Sequence, residues 1–297
     1  MKNNIAAVVV TYNRKNLLVE CIEALDNQKN VQCDIMIIDN NSSDGTQETV
    51  KEIAVTNRKI KYINTGANLG GAGGFNFGIR KAVEFGYEYV WLMDDDCIPQ
   101  NTALFELNEA GKRYKNFGFL SSKVLWIDGT PCVMNVQKKT SFKRMNIDTI
   151  ADAEIAMATF VSCFIPIRII KDVGLPIKDF FIWTDDLEYT LRISKKYKSY
   201  YIPNSVVIHK TKNNIGSNIA KTDISLLDRF FYRYRNEFYL YRREGFVGWI
   251  YTLIKIIYHF FIILFLSKDN KFKRIIKMFI GTLSGLFFYP KIDKIKI

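Results

Sequence analysis

Three short apolar runs in the first part of the chain each stop on a polar cluster, and this pattern restricts the fold more than any other feature. Residues 5–10 (IAAVVV) end in TYNR, residues 34–39 (DIMIID) in NNSSDG, and residues 89–93 (YVWLM) in Asp94-Asp95-Asp96. Runs this short and this rich in β-branched residues read as strands buried on both faces. Between them lie helix-spaced segments at 17–25 and 46–55 and a further strand at 60–63. A glycine-rich stretch over 66–78 then leads into a helix over 77–85. Strands alternating with helices at this spacing imply an α/β architecture, a mostly parallel sheet with helices on both faces. In such sheets the ligand crevice lies beyond the carboxyl ends of the strands, so the three polar clusters should meet there.

From Phe119 the pattern is less regular. Residues 156–165 (AMATFVSCFI) read as a buried strand, 180–188 (FFIWTDDLE) as the approach to a helix over 187–196, and 200–209 as another strand. The polar run 137–144 reads as a loop over the crevice. After Asp223 the chain turns aromatic and basic, as in FFYRYRNEFYLYRR. Of 42 basic and 30 acidic side chains, residues 190–297 hold 21 and 6, so the net charge of +12 originates in the last third. A basic region mixed with long apolar runs suits an anionic membrane surface better than nucleic acid.

Residues 246–266 are just long enough to span a bilayer, but Gly248, Thr252, Lys255 and His259 form one polar stripe on that helix. Residues 271–289 repeat the mixture. Two amphipathic helices flanking the basic turn SKDNKFKR are expected to lie on a membrane surface; a spanning helix and an ordinary buried helical pair are the alternatives. The expected division is a body over 1–222 and a basic, aromatic helical tail over 223–297. Apolar residues at 48% exclude a disordered chain. Five cysteines with no CxxC spacing and two histidines argue against a zinc site or a disulfide framework, and free thiols fit a reducing compartment. The start has too short an apolar core for a signal peptide, so the chain reads as not exported.

Three carboxylates side by side repel one another, and a hard divalent cation, Mg²⁺ or Mn²⁺, offsets that repulsion while sharing its remaining positions with substrate phosphates. The alternative is an acidic turn capping a helix that begins near Pro99. In the stretch from Asn68 to Gly78, five glycines, Gly70 and Gly71 among them, permit close backbone approach and anion-friendly helix amides, or simply tight packing. Neither a P-loop nor GxGxxG is present. Trp183-Thr184-Asp185-Asp186-Leu187-Glu188 combines paired carboxylates with an aromatic, a setting for a general base or for a plain acidic helix start. His209 closes a strand and is either structural or a third metal ligand; His259 lies on the tail stripe and carries no catalytic role.

Taken in order over residues 4–210, VVVTYNR, IIDNNSSDGT and a strand ending in an Asp-x-Asp-type motif resemble the family 2 inverting glycosyltransferases of the GT-A fold, a Rossmann-like arrangement. NLGGAGGFNFG, MDDDC, FIWTDDLEYTLR and His209 are similar to galactofuranosyltransferases and their rhamnosyltransferase-like relatives, with the departure that Thr184 separates the tryptophan from the Asp pair. The resemblance implies transfer of a sugar, galactofuranose from UDP-galactofuranose first and rhamnose from dTDP-rhamnose second, to a lipid-linked or glycan acceptor in cell-surface polysaccharide synthesis. It implies that Thr11, Asn13, Arg14, Asp39, Asn68, Gly70, Gly71 and Asp95 hold the donor nucleotide. Asp94, Asp96 and His209 would hold the Mn²⁺ or Mg²⁺, Asp186 with Asp185 would supply the base, and Trp183 would shape the acceptor site.

The location that follows is the cytoplasmic face of the cell membrane, as a peripheral protein. A homo-oligomer presenting both tails to one face is compatible with this. A nucleotidyltransferase would need a basic N-terminal loop for a triphosphate, and TYNRKN is a poor one. A membrane-associated glycan-binding scaffold has no need of DDD, TDD and His209 together. A nucleic-acid partner is not expected, because the front two thirds are near neutral.

Overall fold

The computed structural model describes residues 4–295. Strands β1 (Ile5–Thr11), β2 (Asp34–Asp39), β3 (Ile60–Asn64) and β4 (Tyr89–Asp94) are parallel and lie in the order β3-β2-β1-β4. Helices α1 (Lys15–Asp26), α2 (Thr46–Thr56) and α3 (Gly70–Glu84) connect them. Alternate residues of β1 enter two different cores. Ile5, Ala7 and Val9 pack with Leu18, Ile22 and Leu25 of α1, whereas Ala6, Val8 and Val10 pack with Phe75 and Ile79 of α3. Burial on both faces is why the strand is an unbroken apolar run.

The chain continues through β5 (Cys97–Pro99), α4 (Ala103–Tyr114), β6 (Leu120–Trp126), β7 (Ala153–Glu154), β8 (Cys163–Pro166), α5 (Ile167–Val173), α6 (Asp185–Ser194) and β9 (Tyr200–His209). The sheet extends from β4 as β8-β6-β9-β5, with β8 antiparallel to both of its neighbours and β6 parallel to β9. This second half is mixed, which accounts for its irregular sequence pattern.

Four expectations are corrected. The helix expected over 77–85 starts at Gly70, and its glycines lie inside it rather than in a loop. A Cβ on Gly74 or Gly78 would come within 2.6 Å of a Val10 or a Val8 methyl, so α3 sits closer to the sheet than an alanine there would permit. Packing thereby overrides the low helix propensity of glycine. The helix expected near Pro99 begins at Ala103, because Cys97–Pro99 pairs with β9 as a strand. The strand expected over 156–165 is confined to Cys163–Pro166, the earlier residues forming a buried loop held by bonds such as Ala156 N–H to Lys138 O at 2.8 Å. Helix α6 starts at Asp185 rather than 187.

The basic, aromatic segment forms α7 (Arg229–Arg242), α8 (Gly245–Leu266) and α9 (Lys271–Leu286). Helix α7 lies between the other two. A Cβ on Gly281 or Gly285 of α9 would meet Phe231 O at 2.6 Å or Phe238 Cβ at 2.7 Å, so two small residues let these helices touch closely. The polar stripe of α8 faces α7, not a headgroup layer. Lys255 Nζ pairs with Glu237 Oε2 at 2.8 Å, His259 Nδ1 lies 2.7 Å from Tyr234 Oη, and Gly248 abuts Tyr241 O. The reason is that Glu237 is largely covered by α8 and needs cations. Lys255 and Arg233 outweigh its burial and hold its carboxyl at about 2.

With its polar stripe turned inward, α8 presents Phe246, Trp249, Leu253, Ile254, Ile257 and Phe265 outward. It is the one helix among the described residues long and apolar enough to cross a membrane by length and composition, and only 17% of its most apolar window is buried. Beyond α9 the chain returns to the α/β body, where Asp293 O accepts from Leu175 N–H at 2.8 Å and the Asp293 carboxylate pairs with Arg80 and Lys178. All five cysteines are buried and free.

Candidate active site

Strands β1 and β4 end side by side, with Val10 opposite Asp94. That register brings Thr11 and Arg14 against the acidic cluster. Thr11 Oγ1 donates to Asp95 Oδ2 at 2.8 Å, and Arg14 Nη1 donates to Asp95 Oδ1 at 3.2 Å and Asp96 Oδ2 at 2.7 Å. The antiparallel β5–β9 pair sets Cys97 opposite His209 and thereby carries His209 into the cluster. His209 Nε2 lies 3.1 Å from Asp96 Oδ1. That contact is not aligned as a hydrogen bond, so Asp96 Oδ1 is buried without a hydrogen-bond partner.

Ligand atoms of Asp94, Asp96, Cys97 and His209 all lie within 4.8 Å of one another. Two hard carboxylates, one of them with an orphaned oxygen, and an imidazole suit Mn²⁺ or Mg²⁺. Burial and then the neighbouring carboxylates push the Cys97 thiol well above its ordinary value, and a soft sulfur is a poor match for these hard cations.

Burial, then repulsion from Asp96, raises the Asp94 carboxyl to about 7 against the opposing pull of His209 and Arg14. Asp95 is raised by burial to about 6, with Arg14 opposing. Asp96 is held below the ordinary range, because His209 and Arg14 outweigh its burial. His209 is raised to about 10 although burial alone would lower it; Asp96 is the strongest of the groups that raise it. Such a cluster binds charge poorly when left alone and is relieved by a divalent cation.

The other residues expected on the donor side lie at the ends of β1 and β2 and at the start of α3. Asn13 holds the β1 and β2 loops together, its Oδ1 accepting from Ser43 N–H at 2.8 Å and its N–H donating to Ser42 Oγ at 2.9 Å. Asp39 is fully buried and accepts from Tyr62 Oη at 2.6 Å and Ser42 N–H at 2.8 Å. Asn68 is exposed, and its Oδ1 takes the Gly70 N–H at 2.9 Å; Gly71 faces open space. Gly70 has φ +70°, and a Cβ there would lie 2.1 Å from Phe181 O. Gly70→Ala is therefore expected to destabilise the protein by roughly 3 kcal/mol through strain and overpacking, read as a fall in urea midpoint. An unchanged midpoint would mean that the 181–184 turn simply moves aside.

Asp185 and Asp186 open α6 beneath that turn. Burial, then repulsion from Asp186 and Asp94, raises Asp185 well above the carboxylate range. Asp186 is raised by burial only to about 6, because the Leu187 N–H donates to its Oδ1 at 2.7 Å and the Lys138 ammonium is near. Both carboxyls are thus raised by burial, Asp185 further than Asp186, because only Asp186 has the Leu187 N–H and the Lys138 ammonium to oppose it. Trp183 is half-buried, with its indole edge-on to Phe230 of α7 at 5.2 Å. The expected acceptor-side aromatic therefore touches the helical tail directly.

Two participants escaped the sequence reading. Asn135 Oδ1 lies 2.8 Å from His209 Nδ1, which fixes that nitrogen as the donor and turns Nε2 toward Asp96. Asn236 of α7 is fully buried and hydrogen-bonds the backbone of the 181–184 turn. Neither has a local motif; only the sheet register and helix packing bring them in.

The description Glycosyl transferase family 2 matches residues 6–117, the segment that carries β1 to β4, the crevice loops and the acidic cluster. Residues 6–117 thus match a family 2 glycosyltransferase domain. Galactofuranosyltransferase GlfT1 of Mycolicibacterium smegmatis is 34% identical over 100 residues, which is 34% of this chain and 32% of that one. The match thus spans about a third of the length of that relative. The dTDP-rhamnosyl transferase RfbF of Shigella flexneri is 26% identical over 309 residues, 96% of both chains. A mannosyltransferase from Pyrobaculum calidifontis, solved with GDP-Man and Mn²⁺, shares the GT-A fold with this chain. It gives a TM-score of 0.57 at 15% identity over 97% of this chain and 74% of that one.

Proposed function

We propose that the protein is a metal-dependent inverting glycosyltransferase that moves a sugar from a nucleotide donor to a lipid-linked glycan at a membrane surface. The observation that carries the reading is the gathering of Asp94, Asp96 and His209 at the end of β4, with Asp185 of the Asp185–Asp186 pair near enough to feel the charge of Asp94. Asp94, Asp96 and His209 would hold the Mn²⁺ or Mg²⁺, which when bound supplies positive charge for the departing nucleoside diphosphate. Thr11 and Arg14 fix the acidic cluster, and the β1, β2 and α3 loops supply the floor for the nucleotide. Asp186 accepts the proton of the acceptor hydroxyl, which attacks the anomeric carbon opposite the leaving group and inverts it. Asp185, whose carboxyl is raised further by burial and by its neighbour, serves to orient the pair.

UDP-galactofuranose is the first donor to try, from the glycine-rich and Asp-pair segments. The match to RfbF over nearly the whole chain, tail included, favours dTDP-rhamnose as the second. The test is nucleotide release from each donor with Mn²⁺ and with EDTA. Metal-dependent release from one donor supports the transferase and identifies its sugar; absence of metal-dependent nucleotide binding by calorimetry refutes it.

The membrane part of the proposal rests on the outward face of α8 and on the basic side chains around it. Phe246 and Phe265, at opposite ends of α8, are 79% and 78% exposed, and Phe272 on α9 is 77% exposed beside Lys271 and Lys273. A continuous apolar face of this kind, rimmed by lysines, fits the interface of an anionic leaflet. The free thiols suit its cytoplasmic side. Flotation with vesicles of anionic and zwitterionic lipid is expected to recover the wild type. Leu253→Glu with Ile257→Glu should reduce recovery more than tenfold, with a pure zwitterionic vesicle binding less. Equal flotation of that variant would remove α8 from the membrane.

A further inference from the structure

We infer that Asn236, on α7, is a positioning residue that holds the 181–184 turn, and with it the Asp185–Asp186 pair, in the shape needed for proton transfer. Phe181, Trp183 and Thr184 have φ values of 63°, 65° and 72°, in the left-handed region that L side chains disfavour. No glycine eases this turn, and the start of α6 has no side-chain cap. Three such residues in a run of four persist only when their surroundings over-determine them.

Those surroundings act from two sides. On one, Phe181 O accepts from Ala72 N–H at 3.2 Å, and Gly70 leaves it the space. On the other, Asn236 Nδ2 donates to the carbonyls of Phe180, Ile182 and Trp183 at 3.0, 3.1 and 2.9 Å. Arg235 Nη2 adds a bond to Asp179 O at 2.6 Å, while Arg235 Nε donates to Asn236 Oδ1 at 3.0 Å. This last bond fixes which way the amide points, so its two hydrogens are shared among the three carbonyls.

An aspartate of the same shape has only acceptors there and would repel all three oxygens. Helix α7 is in turn locked to α8 through Glu237 and Lys255 and to α9 through Gly281 and Gly285. The same helix that carries the membrane-facing layer therefore grips the turn that launches α6. Asn236 touches none of the residues of the metal cluster or the donor floor, so its effect is separable from nucleotide binding. A displacement of about 1 Å at a reacting group is enough to lower turnover by about 100-fold.

This inference rests on the transferase reading for its kinetic arm alone. Asn236→Asp is compared with wild type by hydrogen exchange, by Mn²⁺-dependent binding of UDP or dTDP, and by turnover. The expected result is faster exchange confined to peptide 180–187, with 89–97 unchanged. Nucleotide affinity should stay within about threefold while kcat falls at least 100-fold. Thr184→Gly added to Asn236→Ala should restore at least tenfold of the lost kcat, since glycine takes the left-handed φ freely. A purely structural role would instead raise exchange throughout and weaken nucleotide binding in step, and that result overturns the inference. Unchanged exchange at 180–187 overturns it too, even if no donor is turned over. Should Asn236→Asp be insoluble, Asn236→Ser is judged by the same readouts. A wild type without metal-dependent nucleotide binding sinks the transferase reading, while the exchange comparison still decides the role of Asn236.

Discussion

Asp186→Asn is expected to lower transfer by about 10²–10⁴-fold while leaving metal-dependent nucleotide binding intact. The amide keeps the shape of the carboxylate and can still sit at the helix start, but it cannot accept a proton. Asp185→Asn should cost much less, because burial and the neighbouring Asp186 already disfavour the charged form of Asp185. Turnover of the wild type should fall as pH drops through about 6, where Asp186 takes up its proton, and level off above it. Single-turnover assays of the three proteins, with nucleotide affinity measured by calorimetry, separate the step from binding. Full activity in Asp186→Asn would transfer the role elsewhere, and Asp185 would be the next residue to test.

The second large effect is expected at the acidic cluster, and its two readouts move in opposite directions. Asp94→Asn should weaken Mn²⁺-dependent nucleotide binding by at least 100-fold, since a metal ligand and its charge are lost together. The same substitution should raise the melting temperature of the EDTA-treated protein at pH 8 by a few degrees. An acid whose pKa rises on folding stabilises the folded state at low pH. It loses that contribution as pH rises from its unfolded value to the folded one, here about 7. Above that window the charged Asp94 is a burden unless a cation joins it. His209 follows the same direction at higher pH, since its raised value adds stability that is lost as pH rises from about 6.5 to about 10. Asp96→Ala is the contrasting variant. It removes the partner of both Arg14 and His209, so it should lose the metal without gaining stability. Melting curves with and without Mn²⁺ distinguish the two. Equal metal-dependent stabilisation of wild type and Asp94→Asn would place the cation elsewhere.

Most of the front half was legible because its information is local. Strands buried on both faces need unbroken β-branched runs, and polar residues directly after them must lie at one edge of a parallel sheet, so Thr11, Asp39 and the 94–96 cluster were placed by order alone. The glycines of α3 misled for a physical reason: the same residue weakens an isolated helix and permits a close-packed one, and only the Val8 and Val10 methyls beneath Gly78 and Gly74 decide between the two. In the tail, the stripe of Gly248, Thr252, Lys255 and His259 was visible, but its direction was not. A periodicity states which residues share a face and says nothing about what that face meets. Here the largely covered Glu237 carboxylate draws Lys255 inward, and the apolar residues are left outside.

The sequence by itself determined the α/β class, the crevice, the acidic residues that gather there and the basic character of the tail, all of which follow from short-range pattern and strand order. Only the tertiary structure decided that burial raises Asp185 further than Asp186, that Asn135 orients His209, and that Asn236 grips the turn before α6. Those properties arise from burial and from contacts between residues far apart in the chain, as in the 2.9 Å bond joining Asn236 to Trp183 O, and no local spacing encodes them.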